Sequence, residues 1–205
     1  MQDSIGVRAA LRRYMKAQRR QLDAADRERR ARQIARALRR ARILRPGRRV
    51  AVYSAIGGEV PLDPIVREAR RIGCELYLPR IVSWRAHRMH FIRWDAATPL
   101  RPHRLGMVEP TRGAAVPARA LDVVLLPALA VDARGIRLGM GAGFYDRSFA
   151  HRRRSKWLRP RLIAVVYDFQ RVASIPAHSF DVPVDAVLSE SGLRWFRGHP
   201  SRECV

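Results

Sequence analysis

Glycines stand at alternate positions, Gly139, Gly141 and Gly143, directly before a segment near Phe144 that is expected to begin a helix. Glycine at every second place leaves the backbone bare. Its amides can then approach phosphate oxygens, and a following helix N-terminus adds about half a positive charge aimed at the same anion. Arg137 sets a full cation beside them, and Asp146, just inside the helix, is placed to hold a magnesium ion that bridges to nucleotide phosphates. The spacing matches neither the Walker loop, which ends in Lys-Ser or Lys-Thr, nor the dinucleotide fingerprint. Spacing alone leaves two readings open: a phosphate cradle, or a glycine-rich turn in which Asp146 only favours the first helical turn. The six histidines form no metal motif, and no Ser-His-Asp or Cys-His set is evident for covalent catalysis.

Elements must carry these residues, and the pattern around them alternates. Val50 to Tyr53 and Leu76 to Leu78 read as short buried strands, separated by a helix that starts at Pro64 and stops at Gly73. Met89 to Trp94 alternates as a half-buried strand, Val123 to Leu126 and Leu162 to Tyr167 are apolar runs of interior strands, and Ala186 to Leu188 is a last short one. Interleaving of this kind predicts an α/β fold, a three-layer α/β/α open sheet, mostly parallel or mixed. Two helices precede it. The first, Ser4 to Gln21, is loosely amphipathic; the second is introduced by Asp23 as an N-cap with Asp26 three places on, buries Ile34, Leu38 and Ala41, and is stopped by Pro46-Gly47. The proline-rich stretch Asp95 to Arg119 is expected to be irregular and to serve as a substrate loop.

The 205 residues are read as one domain: basic helices over 1–46, an α/β core over 49–190 and a C-terminal tail over 191–205. Apolar residues make up 47% and charged residues 29%, a balance that can bury a core. No apolar run is long enough to span a bilayer and no secretory signal is visible, so the expectation is a cytoplasmic protein with no membrane partner. Cys74 and Cys204 have no partners at metal-ligand spacing. The net charge of +23 raises the question of nucleic acid. Against that, 39 of the 41 basic residues are arginines scattered through nearly every segment, which is a compositional bias, although residues 1–49 hold 17 basic and only 4 acidic side chains.

Four strings carry a resemblance. PALAVDARGIRLGMGAGFYD, GGEVPLDPI from Gly57, Glu109-Pro110 and FDVPVDAVLSE are together similar to the 5-formyltetrahydrofolate cyclo-ligase family, in its order, from about Arg8 to Glu190. The resemblance implies an ATP-binding loop made of Gly135, Arg137, Leu138, Gly139, Met140, Gly141, Ala142, Gly143, Phe144 and Tyr145. It implies Mg2+ held by Asp146 and Asp181, with Asp185 as a competitor four residues on. It implies Glu59 and Tyr145 as substrate contacts, and Arg8 and Arg12 of the first helix as phosphate ligands. Arg8 replaces a common Lys, and Ala142 a common Gly or Lys.

The activity so implied is ATP- and magnesium-dependent closure of 5-formyltetrahydrofolate to 5,10-methenyltetrahydrofolate through an N5-iminium phosphate, with release of ADP and phosphate. The partners would be these small molecules alone, with no specific nucleic acid, and a monomer would suffice. Two alternatives are kept: a basic nucleic-acid-binding protein on an inactive α/β core, and another phosphate-binding α/β enzyme.

Overall fold

The structure, a computed structural model, describes residues 2–153 and 159–196; Lys156 and the end of the chain, Cys204 included, lie outside the described residues. Helices α1 (Gln2–Gln21) and α2 (Ala24–Arg40) come first. The Asp23 carboxylate accepts from Asp26 N at 2.7 Å, so the expected cap forms and satisfies one of the free amides at the start of α2. The stripe Ala31, Ile34, Ala37 and Leu38 is buried.

The chain continues through β1 (Arg49–Ala51), α3 (Asp63–Ile72), β2 (Glu75–Ser83) and β3 (Arg88–Arg93). Gly73 ends α3 with φ +87°, a left-handed conformation that favours glycine. Then come β4 (Leu100–Pro102), β5 (Val108–Pro110), β6 (Ala115–Val116), β7 (Val123–Pro127), β8 (Ala130–Asp132) and β9 (Arg137–Leu138). The described chain closes with α4 (Phe144–Ser148), β10 (Arg161–Val165), β11 (Arg171–Val172), β12 (Ala186–Ser189) and β13 (Gly192–Trp195).

The α/β expectation holds. Eight strands form one mixed sheet in the order β13-β12-β10-β7-β1-β2-β3-β6, whose centre from β12 to β2 is parallel and whose edges are antiparallel. Strand alternation splits the core in two. Val123, Leu125, Ile163 and Val165 face α2 and α3, whereas Val124, Leu126, Leu162 and Ala164 face Phe149, Val182 and Val184. Full burial of each such Val, Leu, Ile or Phe side chain is worth about 1.5–3 kcal/mol, which makes these strands a firm base for the loops at their ends.

Three segments differ from expectation. Asp95–Arg119 is not irregular throughout: β4 and β5 form a hairpin, and β6 joins the main sheet. Its anchor is Glu109, buried and accepting from Ile81 N at 2.8 Å. The stretch after Pro127, given no strand in the sequence reading, contains the hairpin β8–β9, to which β11 adds a third strand. The segment read as a tail after residue 190 begins with β13, the edge strand paired to β12. No helix among the described residues is long and apolar enough to cross a membrane.

Candidate active site

In an open parallel sheet the loops at the C-terminal strand ends converge. Here β1 and β7 are neighbours, so the turn after β1 that carries Glu59 lies beside the segment after β7 that leads to the glycine string. Across both runs α1. Its buried Met15 packs on Leu129, Ala130, Ile136 and Leu138 of the β8–β9 hairpin region. Arg8, Arg12, Met15 and Arg19 recur at four-, three- and four-residue steps, hence on one helical face.

Arg8 and Arg12 of that face line a cavity of about 380 Å³. Its polar lining comprises Arg8, Arg12, Arg137, Asp146, Asp181 and the backbone from Gly139 to Gly143. Its apolar lining includes Pro79, Ile81, Met89, Leu105, Met107 and Val108. Glu59, Met140, Ala142, Phe144 and Tyr145 also line it. The structure thus brings together every expected site residue except two. Leu138 is a fully buried core residue of β9. Gly135 is the β8–β9 turn, where φ is +80° and a Cβ would lie 2.5 Å from Val184 O and 3.0 Å from the Phe196 ring. Both shape the hairpin from behind; neither touches the cavity.

The charges are paired. Arg8 donates to Asp181 at 2.8 and 3.3 Å and to Pro176 O at 2.7 Å. Arg137 contacts Asp146 at 3.0 Å. Val182 ties the second pair down, its N–H donating to Asp146 at 3.0 Å and its carbonyl accepting from Arg137 at 3.2 Å. Asp181 directly precedes Val182, and both carboxylates line the same cavity. Arg12 Nε donates to Gly139 O at 3.0 Å, fixing the glycine string against α1. Burial foremost, then neighbouring Arg8, lowers the Arg12 pKa, and Asp181 opposes the shift.

Asp185 is engaged elsewhere. It takes a bidentate pair from Arg152 at 2.6 and 2.7 Å and a bond from Leu162 N at 2.7 Å, and it does not line the cavity. The helix after the glycines is also short. With five residues, α4 contributes little dipole, which leaves amides and arginines as the anion-holding groups.

On the apolar side Glu59 is 6% exposed, and burial pushes its pKa up to about 7 against the opposing Ile56 N–H and Arg19. Burial also raises Tyr145 and Tyr53, with the Glu59 charge adding to each, so both phenols stay neutral. Arg19, 1% exposed, was not among the expected site residues. Its signal was available in the helical spacing from Arg8 and Arg12, but the density of arginine on α1 hid it.

Among the described residues no three His, Cys, Asp or Glu side chains are grouped to cage a metal. The donor set is two hard carboxylates, Asp146 and Asp181, that share one cavity with cations suited to phosphate. That suits Mg2+, which commonly takes one or two carboxylates and completes its shell with phosphate oxygens and water.

Known proteins resemble this chain in sequence and in fold. The model of the 5-formyltetrahydrofolate cyclo-ligase family matches residues 4–190. The 5-formyltetrahydrofolate cyclo-ligase of Escherichia coli (strain K12) is 32% identical over 69% of this chain and 78% of its own. That of Mycolicibacterium smegmatis is 34% identical over 70% of this chain and 74% of its own. The structure of Aquifex aeolicus 5,10-methenyltetrahydrofolate synthetase superposes with a TM-score of 0.79 at 29% identity, covering 97% of each chain. A match over nearly the whole described chain, in sequence and in fold alike, means that this protein belongs to the 5-formyltetrahydrofolate cyclo-ligase family.

Proposed function

We propose that the protein closes 5-formyltetrahydrofolate to 5,10-methenyltetrahydrofolate at the expense of ATP, with magnesium, releasing ADP and phosphate. The observation that carries this reading is one cavity lined both by paired arginines, carboxylates and glycine amides and by apolar side chains with a single buried glutamate. The first suits a triphosphate, the second a flat heterocycle.

A formyl oxygen on an amide nitrogen is a poor leaving group. In the proposed course it attacks the ATP γ-phosphorus, the bond to ADP breaks, and an N5-iminium phosphate forms. N10 then adds to the activated carbon, loses its proton, and phosphate departs with the C–O electrons. No side-chain nucleophile is needed; alignment and charge neutralisation are the enzyme's part.

Asp146 and Asp181 would hold magnesium, which would supply charge neutralisation at the phosphates. When these carboxylates turn to that task, Arg137 and Arg8 lose their partners and are free to take phosphate oxygens, an exchange that keeps every buried charge paired. Arg12 and the amides from Gly139 to Gly143 complete the cradle. Glu59 and Tyr145 hold the folate.

The test is an assay of purified protein with 5-formyltetrahydrofolate and magnesium ATP, following the methenyl product and ADP. One ADP per product is expected. Undiminished product without ATP would overturn the phosphorylation step, and no product with all components would overturn the activity.

A further inference from the structure

Arg19 sits on α1 eleven positions after Arg8 and is almost wholly buried. A guanidinium removed from water is costly unless its donors are taken up or an anion compensates it. Its Nη2 donates to Ala128 O, a carbonyl that also accepts from Gln170. Among the described residues its Nε and Nη1 have no hydrogen-bond partner, and Nη1 stands 3.9 Å from Glu59 Oε1. The second Glu59 oxygen is occupied by Ile56 N at 3.1 Å.

The backbone is registered on the same residue. Gly57 and Gly58 take φ of +57° and +78°, and a Cβ at Gly58 would lie 3.2 Å from Arg19 Cβ. The turn carrying Glu59 is therefore seated on the helix at Arg19 itself. From the other elements packed there, Glu59 is faced by the neutral phenols of Tyr53 and Tyr145, while the Tyr167 hydroxyl donates to the Glu59 carbonyl at 3.4 Å. Arg19 supplies the cationic charge that acts on the carboxylate.

We propose that Arg19 is the positioning residue of the folate part of the site: its cation draws the buried Glu59 carboxyl toward its ionised form and its backbone contact sets the direction in which that carboxylate meets the substrate. This rests on the reading of Glu59 as the folate-side acid. Burial alone drives Glu59 toward the protonated form, and Arg19 works against it. Arg19 needs no contact with either substrate for this.

The experiment compares Arg19→Met and Arg19→Lys, each with and without Glu59→Gln, from about pH 6 to about pH 9. Arg19→Met should raise the folate KM about tenfold at neutral pH and recover as pH rises, because a carboxyl without its cation ionises later. The KM for ATP should stay within about twofold, and Arg19→Lys, which keeps the charge, should restore most of the loss. In the Glu59→Gln background Arg19→Met should add little, since both changes act through one group. Equal loss for both substrates at every pH, or full additivity, overturns the proposal. Arg19→Gln substitutes for Arg19→Met if the latter does not fold. NMR titration of carbon-13-labelled glutamate carboxyls needs no substrate, so it separates this proposal from the activity. Glu59 should titrate higher in the neutral variant, and an unchanged titration overturns the coupling even where cyclisation itself is absent.

Discussion

Arg8 closes on Asp181 with both terminal nitrogens, at 2.8 and 3.3 Å, across 173 positions of sequence and with both side chains shut from solvent. Removing one member of a buried pair leaves the other charge stranded, at a cost of about 3–5 kcal/mol. Arg8→Ala should therefore lower the melting temperature as well as weaken ATP binding. Arg8→Lys should regain part of the stability through its charge but less than all of it, because the two-pronged fork is lost. Calorimetry beside nucleotide titration checks both; Arg8→Ala with an unchanged melting temperature would contradict the buried pairing.

Asp146, Asp181 and Asp185 should separate in a single series of Asp→Asn variants. Asp146→Asn and Asp181→Asn should each raise the magnesium requirement of turnover at least tenfold, a difference of about 1.4 kcal/mol or more. Asp185→Asn should leave that requirement alone and instead destabilise the fold by about 3 kcal/mol or more, because the buried Arg152 loses its counter-charge and one of the two acceptor oxygens becomes an amide donor. Magnesium titrations of turnover and urea denaturation give the two readouts. A magnesium effect confined to Asp185→Asn would move the proposed ligand by four residues.

Stability should also carry the mark of Glu59. Its folded pKa of about 7 lies above the ordinary value of 4.5, so between those values the folded protein keeps a proton that the unfolded chain has lost. Stability from this group is therefore greatest at low pH and falls as pH rises from about 4.5 to about 7, by about 3 kcal/mol at most. Glu59→Gln removes the penalty. The variant should match wild type near pH 4.5 and exceed it at about pH 8, as melting temperatures at the two values will show. A difference independent of pH would mean that Glu59 is ionised throughout.

Local signals explain what was legible in the sequence. Asp23 before an apolar stripe, Gly73 after one, and the run from Val123 to Leu126 each encode their element through capping, backbone freedom or burial, and all three formed. The glycine string was readable because its backbone need is written in residue type. The hairpin β8–β9 was not, since strands of three and two residues carry too little alternation to distinguish them from a turn. Partner choice was likewise hidden. Nothing local tells Asp181 from Asp185; only the fold gives one to Arg8 in the cavity and the other to Arg152 behind it. Arg19 was masked by neighbours of the same type whose side chains point to water.

The basic surface gives the last prediction. Arg12 reaches Gly139 O inside the cavity, whereas Arg39 and Arg40, at the end of α2, are exposed. Exposed arginines contribute mainly a general positive field, screened over about 8 Å at physiological salt, while a partly buried guanidinium aimed at a phosphate is screened far less. Arg12→Ala should therefore weaken ATP binding about tenfold or more, and the paired change of Arg39 and Arg40 to Ala should leave it within about twofold. The +23 chain should still attract polyanions at low salt, with affinity for duplex DNA or single-stranded RNA falling steeply as salt rises and showing no sequence preference. Titrations of both nucleic acids across a salt series, beside ATP binding by the same variants, make the measurement. Tight, sequence-selective binding that persists at physiological salt, combined with ATP affinity indifferent to Arg12, would assign the charge to a nucleic-acid partner; the geometry of Arg12 on the glycine string predicts the opposite.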